Sequence, residues 1–404
     1  MATQVFGMYG VDSDWIDFLT HGNQFRARLQ QLGFTLGNDT IRGTFGFNNK
    51  AGKLYGNIVS ENLSTTPDGA TAPVPKMYYN FDPTISMGLA YTSPLISVGV
   101  GYNATIGTTK WQKYNGKDNY KNKEAVVHTP VLVLNAMDNA FRMAFPIQIL
   151  HLSDKYTANS SALGGSAGKV SVTAISFDAH FRYYTGLEVL PQIRLYLKYG
   201  KASYNFQPDG ADKIKGTAAE SFGFDFRLYF GSVVEEVSLQ PIVKIKYNMA
   251  IGRQHANKAV TAVGVMDQVV GNMNNPMGSI DTSTGKPVYR NDSAVWGTGA
   301  WDLAITPALG LNASSDIVTL YLEPSLGFVI EQDGDPTEKN VKERFKLGYG
   351  VYAEIYVRPI QSVEWYFEAE LGDAASVNNG SSVVAAKGLG FNASTGITWY
   401  LPQL

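Results

Sequence analysis

From about residue 84 to the end of the chain, apolar and polar residues alternate almost one for one. In 177–184, Phe177, Ala179, Phe181 and Tyr183 fall on one side of an extended strand, and Asp178, His180, Arg182 and Tyr184 fall on the other. The pattern recurs in 140–152, where Phe141, Met143, Phe145, Ile147 and Ile149 alternate with Arg142, Ala144, Pro146 and Gln148. It recurs again in 189–199, 221–231, 236–250 and 344–358. A period of two over ten or more residues predicts β-strands, because a helix would scatter these side chains around its axis. No run of about 18 apolar residues occurs, so no transmembrane helix is expected.

The connections carry a second pattern. Short ones at 37–39, 93–94, 137–139, 185–186, 232–235, 312–316 and 360–362 read as hairpin turns. Long ones at 49–83, 106–125, 153–168, 205–218, 251–294, 332–343 and 374–387 alternate with them and are rich in Asn, Asp, Gly, Ser and Lys. Tight turns at one end and long loops at the other are the layout of a transmembrane β-barrel. Only a closed barrel satisfies every backbone group of a sheet in lipid. The expected fold is all-β: a single transmembrane antiparallel barrel over 1–404 with its longest outer loops at 49–83 and 251–294. Phe177 and Phe181 then face lipid, while Asp178, His180 and Arg182 face a wet lumen.

Counting back from a last strand near 388–401 makes 24–36 one strand, preceded by 3–9 as the first. The total is about 16, with 14 and 18 as the alternatives. Segment 10–23 becomes the first outer loop, with a helical turn around Trp15 to Leu19. Tyr183, Tyr184, Tyr229, Tyr247, Trp301, Trp365, Trp399 and Tyr400 lie near segment ends and read as aromatic girdles. Pro130, Pro146, Pro191, Pro241, Pro307 and Pro324 fall inside apparent strands, where each removes a ladder donor. Bulges are the expected accommodation.

Composition narrows the function classes. The 404 residues have a formal net charge of −2 and 17% charged residues, below the usual quarter. No broad basic surface calls for nucleic acid. With no cysteine, disulfides, zinc–thiolate sites and cysteine nucleophiles are excluded. The start, MATQVFGMYG, has neither the basic nor the long apolar stretch of a signal peptide.

Residues 6–47, FGMYGVDSDWIDFLTHGNQFRARLQQLGFTLGNDTIRGTFGF, resemble the N-terminal region of the variable surface proteins of intestinal spirochaetes. The resemblance implies an abundant, antigenically variable protein of the outer envelope. It carries no catalytic residues.

Candidate chemistry is sparse. Asp178 and His180 share a face, which can orient an imidazole, but no nucleophile accompanies them. No G-x-S-x-G, H-E-x-x-H, Walker or dinucleotide fingerprint occurs, so the protein is not expected to be an enzyme. Asp333, Asp335 and Glu338 in EQDGDPTEKN offer carboxylates to calcium, but at a spacing unlike an EF-hand. No metal or cofactor is expected.

Lumen-facing charges are more informative. Arg26, Arg28 and Arg42 point inward early in the chain. A basic wall follows: Arg142, Arg182, Arg194, Lys198, Arg227, Lys244 and Lys246. The last third carries an acidic one: Asp302, Glu323, Glu354, Glu364, Glu368 and Glu370. Opposed walls would set up a transverse field that orients polar solutes. The expected function is a porin-like channel in the bacterial outer membrane, passing small hydrophilic solutes, with loops exposed as a surface antigen. Two alternatives remain: a plugged barrel acting as a structural or adhesive antigen, and a gated, ligand-specific transporter plugged by 10–23 or 251–294. Expected partners are outer-membrane lipid, small hydrophilic solutes, further copies in a homo-trimer by analogy of size, and host surfaces or antibodies at the loops.

Overall fold

Sixteen strands close on themselves in a computed structural model. It describes residues 15–28, 31–49, 60–62, 76–79, 83–108, 111–114, 117–118, 124–156, 168–208, 213–232, 238–251, 279–281, 286–288, 301–332, 343–372 and 390–401. The strands are β1 (Gln24–Arg28), β2 (Gln31–Gly37), β3 (Ile41–Asn49), β4 (Pro83–Tyr91), β5 (Ile96–Thr108), β6 (Glu124–Ala136), β7 (Phe141–Tyr156) and β8 (Gly168–Tyr184). They continue with β9 (Gln192–Pro208), β10 (Ile214–Tyr229), β11 (Ser238–Ala250), β12 (Trp301–Ser314), β13 (Val318–Gln332), β14 (Glu343–Ile360), β15 (Val363–Gly372) and β16 (Gly390–Leu401). Each is antiparallel to its sequence neighbours, and β16 returns to pair with β1 through Phe25↔Leu401, Arg26↔Tyr400 and Ala27↔Trp399. The expected barrel and its strand number hold. Short strands at Ser60–Asn62, Lys76–Tyr79 and Trp111–Tyr114 pair outside the barrel, within two of its long connections.

The start of the barrel differs from expectation. Residues 24–36 are not one strand but a hairpin, with Gln24 opposite Thr35 and Arg28 opposite Gln31. The sequence carries the sign of it. Phe25 and Ala27 are outward at odd positions, whereas Leu32, Phe34 and Leu36 are outward at even ones, so the phase slips at the turn. No strand from 3–9 is needed to complete the count, and those residues lie outside the described ones.

The outward face changes character along the strands. On β7 the outward residues from Phe141 to Ile149 are apolar, and His151 follows. On β8 Ile175 to Tyr183 are apolar, preceded by Ser171 and Thr173. On β9 Ile193, Leu195, Leu197 and Tyr199 are followed by Lys201 and Ser203. Register aligns these borders, with Ile149 opposite Ile175, and Ile175 opposite Lys201. His151 Nδ1 and Thr173 Oγ1 meet at 2.9 Å just past the apolar edge. Some nine residues at about 3.3 Å each, tilted by about 40°, span roughly 23 Å, the height of a lipid-facing band. Strands β7 to β10 have 16, 17, 17 and 16 residues, so they project beyond that band. Phe177 is on this outer face, its ring 5.3 Å from Phe145 and 5.8 Å from Tyr199.

Two sequence expectations change here. Of the eight aromatic residues read as girdles, Tyr183, Tyr247, Trp301, Trp365 and Trp399 face outward. Tyr184, Tyr229 and Tyr400 share the inward parity, and arginine guanidinium groups lie over their rings. The strand prolines do not make bulges. Pairing between β6 and β7 stops at His128↔Ile149 and resumes at Val131↔Pro146 in the same register. Between β12 and β13 it is interrupted beside Pro307 and Pro324, again without a shift. Each proline forfeits local bonds, and the intact pairs on either side hold the alignment. Pro191 lies just before β9, where its carbonyl accepts from Thr185 N at 3.1 Å.

Leu197→Lys places a charge near the middle of the outer band and is expected to destabilise the barrel by about 2–4 kcal/mol. Ser203→Lys, on the same face beyond the band, is expected to change stability by less than about 0.5 kcal/mol. Denaturant unfolding in lipid vesicles followed by tryptophan fluorescence checks both.

Candidate functional site

The interior charges form rows because antiparallel register carries a position from strand to strand. Arg142 on β7 is opposite Arg182 on β8, which is opposite Arg194 on β9, then Arg227 on β10, then Lys244 on β11. Five basic residues thus lie side by side near the turn end of the barrel. Towards the loops, the next row reads Ala144, His180, Tyr196, Asp225 and Lys246, and above it Asp178 is opposite Lys198. Like charges directly opposite one another are unfavourable in a sheet, so the row needs compensation. Three arginines take it partly from tyrosine faces: Arg142 over Tyr184 at 5.0 Å, Arg194 over Tyr229 at 4.6 Å and Arg227 over Tyr196 at 4.9 Å.

Carboxylates supply the rest. Asp225 accepts from Arg227 at 3.0 and 2.6 Å and lies 3.8 Å from Lys246. Asp178 lies 3.2 Å from His180 Nε2 and 3.4 Å from Lys198. Lys244, 1% exposed, pairs with Glu323. At the head of the row the carboxylate comes from outside the sheet. Asp17 accepts from Arg142 Nη1 at 2.8 Å and from Arg182 Nη1 at 3.0 and 2.8 Å.

Segment 15–21 therefore sits inside the barrel, as a helical turn followed by Thr20 and His21. The helical turn expected around Trp15 to Leu19 is present, but it lies inside the barrel, as in the alternative of a transporter plugged by 10–23, and not in an outer loop. Asn23 ties it to the turn end, accepting from Gly37 N at 2.9 Å, and β1 then starts from that end. Its apolar residues Trp15, Ile16, Phe18 and Leu19 are buried with Ala90, Val131, Val133 and Ala144. The wall beneath is made of missing side chains. A Cβ on Gly101 would lie 2.5 Å from the Trp15 ring, and one on Gly88 2.7 Å from it. The sequence offers 10–23 as a plug only in the transporter alternative, and the seat it takes does not follow from that reading. The signal available was a set of very small inward residues, Gly88, Ala90, Gly99 and Gly101, on two adjacent strands.

The acidic wall is built from β13, β14 and β15. Glu354 is opposite Glu368, while Tyr352 separates Glu323 from Glu370. Tyrosine hydroxyls donate into it: Tyr321 to Glu323 at 2.5 Å, Tyr352 to Glu354, Tyr356 to Glu368 at 3.2 Å and Tyr400 to Glu364 at 3.0 Å. Arg358 also donates to Glu364, at 2.5 Å, and Arg28 from β1 lies 3.8 Å over the Tyr366 ring. Asp302 accepts from Asn248 Nδ2 at 3.0 Å. In the closed order of sixteen strands, β7 and β15 stand eight strands apart, so the far ends of the two walls lie on opposite sides of the lumen. Their near ends adjoin at β12, which carries Asp302 and whose inward Ala304, Thr306 and Ala308 are short enough for Lys244 to reach Glu323 over them. The field they make runs around the circumference as well as across it.

Among the described residues, no group of three or more His, Asp or Glu side chains is placed to hold a metal ion. Asp333, Asp335 and Glu338 lie outside the described residues, as does most of 251–294.

An apolar outer belt, a closed sheet and a charged, tyrosine-rich interior define a transmembrane β-barrel. A family model described as Serpulina hyodysenteriae variable surface protein matches residues 1–400, and the chain belongs to that family. Among solved structures it is similar to the transport unit of the autotransporter AIDA-I from Escherichia coli, at 9% identity over 79% of this chain and 84% of that one, TM-score 0.28. It is also similar to CdiB from Escherichia coli, at 10% identity, 94% and 62% coverage and TM-score 0.39. A third is the ferric yersiniabactin uptake receptor FyuA from Yersinia pestis, at 8% identity, 93% and 65% coverage and TM-score 0.39. The chain spans less than two thirds of the length of the last two. No match was found among curated proteins.

Lys244→Met leaves Glu323 buried without its cation and is expected to destabilise by about 3–5 kcal/mol. Replacing both, as Lys244→Met/Glu323→Leu, is expected to recover most of that in denaturant unfolding. His21 tests the docked segment separately. Burial, with Arg26, Arg142 and Arg42 nearby, lowers its pKa to about 4, against a smaller upward pull from Asp17. A histidine with a lowered pKa favours the docked state above its free value of about 6.5, and that preference is lost as pH falls towards 4. Protease access to 15–21 is therefore expected to rise as pH falls through that window, and His21→Gln is expected to flatten the rise.

Proposed function

We propose that this protein is a porin-like channel of the bacterial outer membrane, with small hydrophilic solutes diffusing along its charged interior and its long loops forming a surface-exposed antigenic face. The observation that carries this reading is the inward face itself. Arginine, lysine, glutamate and tyrosine occupy it in register over β7 to β11 and again over β13 to β15, with Asp302 on β12 between them, while the outward face is apolar. A barrel serving only as an anchor has no need of ionised side chains within it, since each requires water or a partner. The bore is narrow at the turn end, where segment 15–21 occupies part of the section. Passage is selected by charge, and no reaction is assigned.

A second reading, a closed barrel that displays variable loops without transport, is favoured by one observation, the seating of Trp15 and Phe18 in the lumen. Planar-bilayer recording of the reconstituted protein under a salt gradient separates the two. Small discrete openings are expected from the wild-type chain. Trp15→Ala, which loosens the segment, is expected to give larger steps. Glu364→Gln/Glu368→Gln/Glu370→Gln is expected to move the reversal potential towards anion preference. Silence from wild-type and Trp15→Ala protein, both folded and β-rich, overturns the channel reading in favour of the displayed antigen.

A further inference from the structure

The compensating carboxylates of the basic row are not equivalent. Asp225, Asp178 and Glu323 belong to barrel strands and are fixed by their ladders. Asp17 belongs to a segment outside the sheet, held by apolar contacts, by Asn23 and by the ion pair itself. Among the described residues, it is the anion at this row that can leave without breaking a strand. The arginines it serves are not exhausted by it. Asp17 takes both its contacts with Arg182 from Nη1, and the Nε of Arg182 has no hydrogen-bond partner among the described residues, although the residue is only 9% exposed. Two residues along β8, His180 is 5% exposed and its Nδ1 is likewise without a partner. A buried donor left unmade is costly, and a guanidinium edge fits a carboxylate or phosphate in a two-point contact.

We propose that Arg142 and Arg182, with Arg194 next along the row, form a binding subsite for a small solute bearing a carboxylate or phosphate, and that Asp17 occupies it in the resting protein as a built-in competitor. The cations of β7 to β11 outnumber the carboxylates they touch, so an arriving anion meets a favourable field even while Asp17 is in place. Its oxygens replace those of Asp17 on Arg142 and Arg182 and reach the unused Nε. The displaced segment then loses the ion pairs it makes with the wall among the described residues, and keeps its apolar contacts with β4 to β7 and the tie of Asn23 to Gly37 N. Anion binding and release of segment 15–21 are thereby one equilibrium, and the apparent affinity is lowered by the fraction of time that Asp17 holds the site. The proposal rests on the channel reading only for the route by which the solute arrives.

The test is calorimetric titration of the full chain in detergent at low ionic strength, with inorganic phosphate and with succinate as probes. Asp17→Asn is expected to bind at least one of them about tenfold or more tightly than the wild type. Trp15→Ala, which frees the segment without touching a charge, is expected to shift affinity the same way. Asp17→Asn/Arg142→Gln/Arg182→Gln is expected to lose binding, with β-content unchanged by circular dichroism. Equal affinity in wild type and Asp17→Asn overturns the proposal, as does binding by the triple variant as tight as by Asp17→Asn. The result does not depend on conductance. The expected binding pattern in a protein silent in bilayers removes the channel and leaves the anion site, whereas openings without that pattern do the reverse.

Discussion

A strand in hydrocarbon has no water to meet its amide and carbonyl groups, and each one left unpaired costs several kcal/mol. Every other feature of this protein is arranged around that constraint. The sheet must have no edge, so β16 must find β1. It does so over three described residue pairs, because β1 has only five residues. The seam is short and is reinforced from inside, where Arg28 Nε donates to Thr398 Oγ1 at 2.8 Å and its guanidinium covers Tyr366. Strand prolines are tolerated on the same terms. They interrupt the ladder locally, and the continuous register on either side keeps the barrel closed.

Closure creates an inside, and register then brings together residues that are far apart in sequence. Arg142, Arg182, Arg194, Arg227 and Lys244 meet because each stands at a similar height above a hairpin turn. Such a row would be repulsive by itself. It is stabilised by tyrosine faces, by Asp225 one row above, by Glu323 on β13, and by one aspartate supplied by the segment that precedes the barrel. The same arrangement, with tyrosine hydroxyls as donors, supports the glutamates of β13 to β15.

Small residues decide where the large ones go. Gly88 and Gly101 leave the space that the Trp15 ring fills, and a side chain on either would displace it. Ala304, Thr306 and Ala308 on β12 leave the path by which Lys244 reaches Glu323. The interior therefore has two sectors: an apolar, aromatic one over β4 to β6, where segment 15–21 is seated, and a charged one over β7 to β11 and β13 to β15.

Strands, hairpin turns, the side each side chain faces and the outer belt were all legible in the sequence, because a period of two is a local property of the backbone that needs no knowledge of neighbours. Even the hairpin at 24–37, read as one strand, announces itself by a slip in phase. The inward direction of Tyr184, Tyr229 and Tyr400 follows from the same parity, although proximity to strand ends alone suggested girdles. Tertiary structure alone decided the rest. Segment 15–21 has no period that says whether it lies outside the barrel or within it. That depends on a glycine wall some 70 to 85 residues further on, and on two arginines that only strand register places side by side. The acidic and basic walls were visible as lists of charges, but which of them touch is set by the order of strands around the circumference and the height of each residue along its strand. Pairing of that kind is long-range, and a one-dimensional pattern holds no record of it.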